Sequence, residues 1–372
     1  MELTLTASRQ GKLSSFLKNE LKMSTGLMNR VKWADGLRVN GLSVHTNHPV
    51  LPGDRITVLL QEEEPEYPAE EGDLRVLYED DCILAVDKPA GMLIHPSRNR
   101  ITGTLANLVQ GHYRQWGVTA AFHPLTRLDR DTFGIVLIAK NSHIHGLLQQ
   151  GHTQKTYHAR VFGGPEGDAG TIDAPIARKA LPSLLREIRP DGKPSVTRFQ
   201  VLAREGQTTR LALEPVTGRT HQLRLHCAYM GYPILGDPQY GTEESQAYSL
   251  AQGIGTVSGS NVHLMIAIIL FGSAVASAFI DNIPFAATMI PVIQSLSALQ
   301  GVHLDTLAWT LSIGTDVGGS ATPIGASANV VALSQCGKNG ITIGWGRNCK
   351  VMAPATLLVI AVSLGILYLR YL

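Results

Sequence analysis

The order of apolar and polar positions divides the chain into three regions. In residues 12–36, apolar side chains recur at helical spacing in KLSSFLKNELKMS and TGLMNRVKWADG. Short strands are predicted after them at LRVNG, SVHTN and DRITV, with a turn at Asn40-Gly41. Residues 74–250 alternate short apolar runs with helical stretches, and the strand candidates are RVLYED, ILAVDKP, GIVLIAK, KTYHARVFG, VTRFQVLA and TRLALEPV. The pattern predicts a small α/β module followed by an α+β domain with a mixed sheet.

The third region, which begins at Asn261, is almost entirely apolar. Residues 262–280 contain no Lys, Arg, Asp or Glu, and residues 354–369 form a second long segment of this kind. Both approach the roughly 20 residues that an α-helix needs to cross a bilayer. Between them, residues 283–299 and 307–333 are apolar but interrupted by Pro and Gly. A buried helix of a soluble protein is the alternative for any one segment, but four in succession predict all-α membrane segments.

Charge follows the same division of the chain. Residues 1–60 carry eight Lys or Arg against four Asp or Glu, whereas residues 61–73 carry seven acids and no base. Residues 74–255 carry twenty bases and sixteen acids, and the remaining residues carry four and three. We therefore place the domain boundaries at 1–60, 61–73 (an acidic linker), 74–255 and 256–372. The four scattered cysteines and the lack of a signal-peptide pattern predict a cytosolic first half without a metal site.

The stretch TRLDRD places Asp129 between two arginines at the entrance of the predicted strand GIVLIA. An ion pair with Arg127 or Arg130 is a sufficient structural explanation for an isolated aspartate at this position. Three other stretches change this interpretation, and they are CILAVDKPAGMLIHPS, KTYHARVFG and TGRTHQLRLHCAYMGYPILGDPQYG. Together with RLDRDTFG, they resemble the RluA-type pseudouridine synthases, which isomerise uridine in large-subunit ribosomal RNA and in transfer RNA.

The resemblance implies a role for each residue of the candidate site. Asp129 corresponds to the catalytic aspartate, Tyr157 to the active-site tyrosine, and Arg224 to the basic residue that pairs with the aspartate. Arg127 corresponds to an arginine that can fill the space left in the RNA when the uridine leaves. No cofactor is expected, because uracil is detached from C1′ of the ribose and rejoined through carbon without oxidation or loss of a group.

Elementary chemistry supports these roles. A carboxylate can act as a nucleophile or stabilise a sugar cation, and it must be ionised to do either. A neighbouring guanidinium favours the anion, whereas desolvation alone favours the neutral acid. A stacked uridine has to flip out at a cost of a few kcal/mol, and stacking on an aromatic ring recovers roughly 1–3 kcal/mol per base. The sequence leaves open which carbon the carboxylate attacks.

RNA is the predicted partner of two regions. The N-terminal region resembles, in LRVNG and LPGDRITV, the small RNA-binding module of a small-subunit ribosomal protein. Its candidate basic face consists of Arg30, Lys32 and Arg38, for which a solvated surface is the alternative. In the catalytic region, the further candidates for RNA contacts are Lys88, Arg130, Arg219 and His221. A turn beside the cleft is the alternative for Lys88, and a structural hydrogen bond is the alternative for His221.

Two positions depart from the pattern of the synthase family. Thr126 stands where the family usually has His before R-L-D, and Phe133 stands where it usually has Ser. Neither replaces a charged group, although Phe133 adds bulk beside the site. After GDPQYG the chain passes directly into the apolar region, so we expect a synthase domain that lacks its last strand.

The apolar region resembles the C-terminal part of the ArsB/NhaD-type ion transporters in SAFIDNIPFAATMIPVI, GTDVGGSATPIGASANVVAL and IGWGRNCKVMAPATLLVI. The resemblance implies a discontinuous helix that coordinates a monovalent cation or an oxyanion, and a Gly-rich packing seam is the alternative. Polar groups at membrane depth are functional candidates, and here they are Asp281, Asn282, Asp316 and Asn329. Such sites usually lie between two repeats, one of which is absent, so we do not expect transport by this region alone.

The sequence therefore predicts a fusion in which an RNA pseudouridine synthase is joined to a fragment of an ion carrier. Its catalytic part is expected in the cytoplasm, and the full chain is expected to associate with a membrane. One alternative is an ion transporter, or a fragment of one, with an inactive synthase part. Another is a membrane-tethered RNA-binding protein without catalytic activity.

Overall fold

The computed structural model describes residues 1–61, 66–98, 100–151, 153–180, 182–183 and 185–371. The chain divides into two compact units, Met1–Gln154 and Lys155–Leu372. The predicted acidic linker at 61–73 lies partly outside the described residues. The division into four segments stays a prediction.

The first unit begins with a small α/β module. Its strands pair in the order β1-β6-β3-β4, and β2 pairs with β5. Phe16, Leu17 and Val58 are fully buried in its core. The α/β pattern predicted for this region is confirmed, although only Ser43 of the predicted strand SVHTN lies in a strand. The elements are β1 (Glu2–Thr6), β2 (Gly11–Lys12), α1 (Leu13–Asn19), α2 (Thr25–Trp33), β3 (Leu37–Val39), β4 (Leu42–Ser43), β5 (Pro49–Val50) and β6 (Arg55–Leu59).

The rest of the first unit is an antiparallel sheet with strand order β7-β8-β10-β9. Its elements are β7 (Arg75–Glu79), β8 (Ile83–Lys88), α3 (Leu105–Gln115), β9 (His123–Pro124), β10 (Gly134–Ala139) and α4 (Ser142–Gln150). Alternate residues of a strand face the same side of a sheet, and Leu84, Val86 and Lys88 of β8 are all buried. Gly134 at the start of β10 lies opposite Lys88 at the end of β8. The loop that precedes β10 therefore enters the sheet beside the end of β8.

The second unit contains a four-stranded antiparallel sheet, with strand order β11-β16-β15-β12, and a separate hairpin of β13 and β14. The buried core of this sheet consists of Val161, Leu211 and Leu213 from its strands, and of Cys227 packed on them. The six strand candidates between residues 74 and 215 are all confirmed, whereas β9 of the first unit and β12, β13 and β14 were not predicted. The strands are β11 (Tyr157–Phe162), β12 (Ala169–Asp173), β13 (Ile176–Arg178), β14 (Arg186–Ile188), β15 (Val196–Glu205) and β16 (Thr208–Pro215).

After β16, the secondary-structure elements that the structure describes are all helices. They are α5 (Gln222–Tyr229), α6 (Glu243–Ser258), α7 (Val262–Ser277), α8 (Asn282–Gln300), α9 (Leu304–Gly319), α10 (Ser327–Lys338) and α11 (Trp345–Tyr371). By length and composition, α8 and α11 are long and apolar enough to cross a membrane. The combination of an α+β domain with C-terminal helices is confirmed, and the strand pairs that the structure describes are antiparallel.

Two of the predicted apolar segments differ from simple spans. The segment 262–280 forms α7, whose 16 residues are fewer than the roughly 20 that cross a bilayer without distortion. The segment 307–333 is divided, because α9 ends at Gly319 and α10 begins at Ser327. This division confirms the interruption predicted from the Gly and Pro residues.

Helix α6 contacts both the sheet of the second unit and its C-terminal helices. Ala247 and Ala251 on α6 belong to one buried cluster with Leu296 of α8. The ring of Tyr248 contacts Phe162 of β11 at a centroid distance of 5.4 Å. The synthase sheet and the apolar helices of this unit therefore share α6 as a common packing element.

A charged cluster joins three elements of the first unit. Glu79 at the end of β7 pairs with Lys140 after β10 at 2.8 Å, and lies 2.7 Å from Nε2 of His112 on α3. Burial alone would raise the pKa of Glu79, but the bonds with Lys140 and His112 outweigh this effect and lower the pKa. The carboxylate is therefore held in its ionised form by two elements that are distant in sequence.

We expect Glu79→Gln to weaken the first unit by about 1–3 kcal/mol at neutral pH, because hydrogen bonds to a charged group are lost. Since the folded-state pKa of Glu79 is lowered, its contribution is complete above about pH 4.3 and is lost as the pH falls through the folded value. The measurement is hydrogen-exchange protection of β7, β8 and β10 in the full chain at several pH values. Equal protection of the variant and the wild type at neutral pH would contradict this prediction.

The matched control is Glu205→Gln in the second unit. Glu205 is paired with Arg160 and Arg210, and its side chain is more exposed than that of Glu79. We expect this substitution to leave the protection of β7, β8 and β10 unchanged.

Candidate active site

The loop that carries Asp129 connects β9 to β10 in the first unit. It is fixed at its start by the Leu125 amide, which donates to the Leu137 carbonyl at 2.8 Å, and it turns where the Thr132 amide donates to the Asp129 carbonyl at 3.1 Å. Asp129 is half-buried, and Arg127 beside it is exposed. Because β10 is anchored in the sheet by its alternate buried residues, Asp129 in the loop before it lies at the edge of the sheet. Arg127, two residues earlier, is exposed.

Lys88 is fully buried on the same face of β8 as Leu84 and Val86. Its ammonium donates to the carbonyls of Pro89 at 2.9 Å, Met92 at 2.9 Å and Arg130 at 3.0 Å. Two of these carbonyls belong to the turn after β8, and the third belongs to the residue that follows Asp129. The ammonium therefore ties the aspartate loop to the turn.

Burial lowers the pKa of Lys88, and the negative charges of Asp131 and Asp129 oppose this shift without offsetting it. The contact between Lys88 and RNA that the sequence analysis predicted does not fit this environment, because the side chain has no solvent exposure and its three protons are directed to backbone carbonyls. We therefore assign Lys88 to the support of the loop and do not propose it as an RNA contact.

The outer side of the same loop is exposed. Arg130 pairs with Asp131 at 3.0 Å, and their side chains are 59% and 62% exposed. Phe133, which departs from the family pattern, is 75% exposed. Its ring therefore projects toward solvent and does not fill the core of the first unit.

Tyr157 and Arg224 lie in the second unit. Tyr157 begins β11, is half-buried, and lies opposite Leu213 of β16. Arg224 on α5 makes a two-pronged contact with Asp237, in which Nε and Nη2 each lie 2.7 Å from a carboxylate oxygen. Nη2 also donates to Oε1 of Gln239 at 2.9 Å. The pairing of Arg224 with Asp129 that the resemblance implies stays a prediction.

Asp237 holds the guanidinium of Arg224 in place. Burial by itself would raise the pKa of Asp237, but the bonds from Arg224 and from the Gln239 and Tyr240 amides outweigh it and leave the pKa lowered. The guanidinium also lies over the ring of Tyr240, at 5.1 Å from its centroid. An arginine fixed by one buried carboxylate and one aromatic ring loses little further freedom when it acts on another group.

Two other candidates flank α5. His221 adopts a left-handed backbone conformation with φ of 57°, and its Nδ1 lies 2.9 Å from the Tyr240 hydroxyl. Arg219 is exposed, and its Nε donates to the Pro194 carbonyl at 3.3 Å. In the N-terminal module, the three basic candidates Arg30, Lys32 and Arg38 are exposed or half-buried on α2 and β3.

The transport candidates lie at helix ends in the second unit. Asn282 at the start of α8 donates to Asp316 of α9 at 3.1 Å, and both line a cavity of about 430 Å³. Asn329 of α10 donates to the carbonyls of Gly319 and Thr322 at 2.9 and 3.0 Å, which joins the two sides of the break between α9 and α10. In the described part of the chain, the buried Oδ1 of Asp281 has no hydrogen-bond partner.

Several residues of these sites were not singled out by the sequence analysis. Asp237 lies in GDPQYG, and its pairing with an arginine on α5 depends on the fold. Trp33 is 82% exposed beside Lys32, whose ammonium lies 5.0 Å from the ring centroid. His95 is half-buried beside Tyr67 and Phe122, and burial, assisted by the charge of Arg127, lowers its pKa. For His95, the signal that the sequence offered was its place in the stretch HPS.

Comparison with known proteins defines the class of this chain. Residues 82–229 match the family described as RNA pseudouridylate synthase. The RNA pseudouridine synthase YlyB of Bacillus subtilis is 40% identical over 215 residues, which are 56% of this chain and 71% of that relative. The chain therefore belongs to the RNA pseudouridine synthase family, and the predicted enzyme class, an isomerase that acts on uridine in RNA, is confirmed.

Further relatives agree with this assignment. The ribosomal large subunit pseudouridine synthase C of Vibrio cholerae is 34% identical over 260 residues, which are 65% of this chain and 81% of that relative. Among solved structures, human RNA pseudouridylate synthase domain containing 1 matches 48% of this chain and 74% of its own, with 26% identity and a TM-score of 0.40. The assignment rests on the sequence comparisons and not on that superposition.

A second family matches the C-terminal region. Residues 248–371 match the family described as citrate transporter. The predicted junction of a pseudouridine synthase with an ion-transporter segment is therefore confirmed. The match begins within α6, the helix that packs on both parts of the second unit.

We expect Lys88→Met to lower the rate of pseudouridine formation about a hundredfold, because a small displacement of a catalytic loop has an effect of this size. The carbonyls of Pro89, Met92 and Arg130 would lose their donor. The affinity for RNA should keep the salt dependence of the wild type. A decrease of the salt slope by about 0.7–0.9 would contradict this prediction and restore a phosphate contact for Lys88.

Arg75→Met is the control for the Lys88 variant. Arg75 pairs with Asp87 on the same sheet, but its side chain is 74% exposed. We expect near wild-type rates, and the thermal unfolding of both variants measures how far each effect reflects loss of folded protein.

Proposed function

We propose that this chain converts a uridine of ribosomal RNA to pseudouridine, with Asp129 as its catalytic carboxylate. The observation that carries the proposal is the fixed loop around Asp129, whose following carbonyl is bound by the buried ammonium of Lys88 at 3.0 Å. The Vibrio cholerae relative, named as acting on the large ribosomal subunit, supports ribosomal RNA as the substrate class. Transfer RNA is the alternative substrate of the same chemistry.

The proposed reaction breaks the bond from N1 of uracil to C1′ of the ribose and forms a bond from C5 to C1′. The proton of C5 is lost and N1 gains one, so the composition of the nucleotide is unchanged. Asp129 supplies negative charge by attack or by stabilisation of the sugar cation, since a carboxylate can do either. The chemistry draws on protein groups alone in this proposal, and no cofactor is assigned a step.

Tyr157 and Arg224 complete the proposed catalytic group through the roles that the family resemblance gives them. An aromatic ring can stack on a flipped base, which is the role proposed for Tyr157. A guanidinium near a carboxylate favours its ionised form, which is the role proposed for Arg224. The immobilisation of Arg224 by Asp237, with two contacts of 2.7 Å, supports a positioned and not a mobile cation.

RNA contacts are proposed for exposed basic residues. Arg127 is proposed to enter the space left by the flipped uridine, and Arg130 and Arg219 are proposed to meet phosphates, since basic side chains supply the sequence-independent affinity for RNA. His221 is proposed to position the turn before α5 through its contact with Tyr240. The N-terminal module is proposed to add a second RNA contact through Arg30, Lys32 and Arg38.

We expect Asp129→Asn to lower pseudouridine formation by more than about a thousandfold, because loss of an essential catalytic group has at least this effect. Asp131→Asn removes a carboxylate of the same loop that pairs with Arg130 and is 62% exposed, and it should lose less than about tenfold. The measurement is mapping of pseudouridine in ribosomal RNA treated with the full chain in detergent. Product formation by Asp129→Asn at the rate of Asp131→Asn would refute the proposal.

We further propose that α8 and α11 attach the chain to a membrane, with the synthase part on the cytoplasmic side. Their length and apolar composition and the match to a transporter family support this location. A monovalent cation or an oxyanion is the candidate ligand of the cavity beside Asn282 and Asp316. Transport by this region alone is not proposed.

We expect the full chain to sediment with membranes and to stay there after a high-salt wash followed by an alkaline wash. The physical reason is that release would expose the apolar faces of α8 and α11 to water. Recovery of the protein in the soluble pool after salt alone would contradict membrane insertion. Ion flux into vesicles, compared between the wild type, Asp316→Asn and the exposed control Asp305→Asn, tests the transporter alternative separately.

A further inference from the structure

The hairpin of β13 and β14 places like charges directly opposite each other. Arg178 of β13 is the register partner of Arg186 of β14. The neighbouring amide of Lys179 donates to the Leu185 carbonyl at 3.0 Å, so Arg178 and Arg186 occupy the position without direct hydrogen bonds, where side chains of antiparallel strands approach most closely. Like charges in that position destabilise a hairpin, unless an anion lies between them.

The two arginines line a cavity of about 440 Å³ in the second unit, together with Lys193 and Arg219. Lys193 is held beside β13 by two backbone hydrogen bonds with Ile176, each of 2.9 Å. Arg219 belongs to the TGRTH turn before α5. Four cations from three separate chain segments therefore converge on one cavity.

The positive charge of this cavity is poorly balanced. Asp191 is the acidic residue of its lining, and Asp191 pairs with Arg189, a bond that holds the pKa of the carboxyl below its usual value. Within the described ranges, no ion pair involves Arg178, Arg186 or Lys193. The Nη1 atom of Arg186 is buried and has no hydrogen-bond partner among these residues, although buried polar groups are almost always paired.

The cavity wall is rigid on the side of Gly192. A Cβ atom added to Gly192 would lie 2.7 Å from the carbonyl carbon of Ile176 and 2.9 Å from the carbonyl oxygen of Arg189. The backbone therefore approaches β13 too closely for any side chain at this position. A site whose donors stand on packed backbone loses little freedom when it binds an anion.

We propose that Arg178, Arg186, Lys193 and Arg219 form a pocket that binds a phosphate group of the RNA backbone. The guanidinium groups of the facing arginines match the geometry of phosphate oxygens, and the bound phosphate supplies the missing partner of Nη1 of Arg186. The inference rests on the proposed function, since it identifies how the substrate RNA is held. It adds a docking contact that the family motifs do not reveal, because β13 and β14 lie outside them.

The test measures binding of a short fluorescent single-stranded RNA that contains uridine to the full chain in detergent, at several salt concentrations. The variant combines Arg178→Gln with Lys193→Gln. We expect an affinity about tenfold lower than that of the wild type at moderate salt and a salt slope smaller by about 1.4, because two phosphate contacts to single-stranded RNA are lost. The catalytic rate at saturating RNA should be unchanged, while KM rises by the same factor as Kd.

The matched control combines Arg204→Gln with Arg160→Gln. In the same unit, Arg204 is exposed and Arg160 is half-buried, and they pair with Asp168 and Glu205 respectively, so the control removes the same net charge from outside the cavity. We expect it to keep the affinity and slope of the wild type. A loss of affinity equal to that of the pocket variant would overturn the proposal, because the effect would then be one of total charge.

Inorganic phosphate at constant ionic strength distinguishes free phosphate from RNA phosphate. We expect it to weaken RNA binding by the wild type and to have no effect on the pocket variant. If phosphate binds to the cavity but the pocket variant holds RNA as the wild type does, the proposal is overturned. Pseudouridine formation by the wild type is measured in parallel. If the wild type forms no pseudouridine but the pocket variant binds RNA more weakly, the proposed function alone is refuted. If the wild type is active but the pocket variant binds RNA equally well, the pocket alone is refuted.

Discussion

Three backbone carbonyls converge on the ammonium of Lys88, and the position of the aspartate loop depends on this convergence. The carbonyls come from the turn after β8 and from Arg130, so one buried cation fixes both its own turn and a loop 42 residues further along the chain. A buried charge is costly unless its hydrogen bonds are complete, and here all three ammonium protons have acceptors. The arrangement stabilises one geometry of the loop because any displacement of Arg130 would leave the cation under-coordinated.

The sequence was sufficient for the elements with strong periodicity and insufficient for contacts between distant segments. The β-branched runs of β8 and β10 predicted strands. Lys88 follows Leu84 and Val86 at alternate positions of β8, so the sequence pattern already placed the lysine on their buried face. Lys88 was predicted as an RNA contact, with a turn beside the cleft as the alternative, and its three carbonyl acceptors depend on turn geometry that periodicity does not show. The short strands β13 and β14 lack a long apolar run, so the facing pair of Arg178 and Arg186 became visible only in the fold.

The candidate site shows the same division between motif and structure. Asp129, Tyr157 and Arg224 were found through motif resemblance, and the family comparison confirms the class of enzyme. Asp237 was not found, although it holds Arg224 with two contacts of 2.7 Å. Both residues lie in the stretch TGRTHQLRLHCAYMGYPILGDPQYG, but their pairing across 13 residues depends on how the chain folds between them. The structure therefore adds most where a charge is held in position by a partner that sequence periodicity does not connect to it.

The packing of α6 has a consequence for the electrostatic surroundings of the RNA. Because α6 contacts Phe162 on the synthase sheet and Leu296 on an apolar helix, the described residues of the second unit hold its basic cavity close to any bilayer that contains α8. The cytoplasmic leaflet has a negative surface potential of about −30 mV, which decays over roughly 8 Å at physiological salt. A polyanion bound by a membrane-inserted form of this unit would compete with lipid headgroups for the same cations. The lipid composition beneath the protein would then help to set how tightly the polyanion is held.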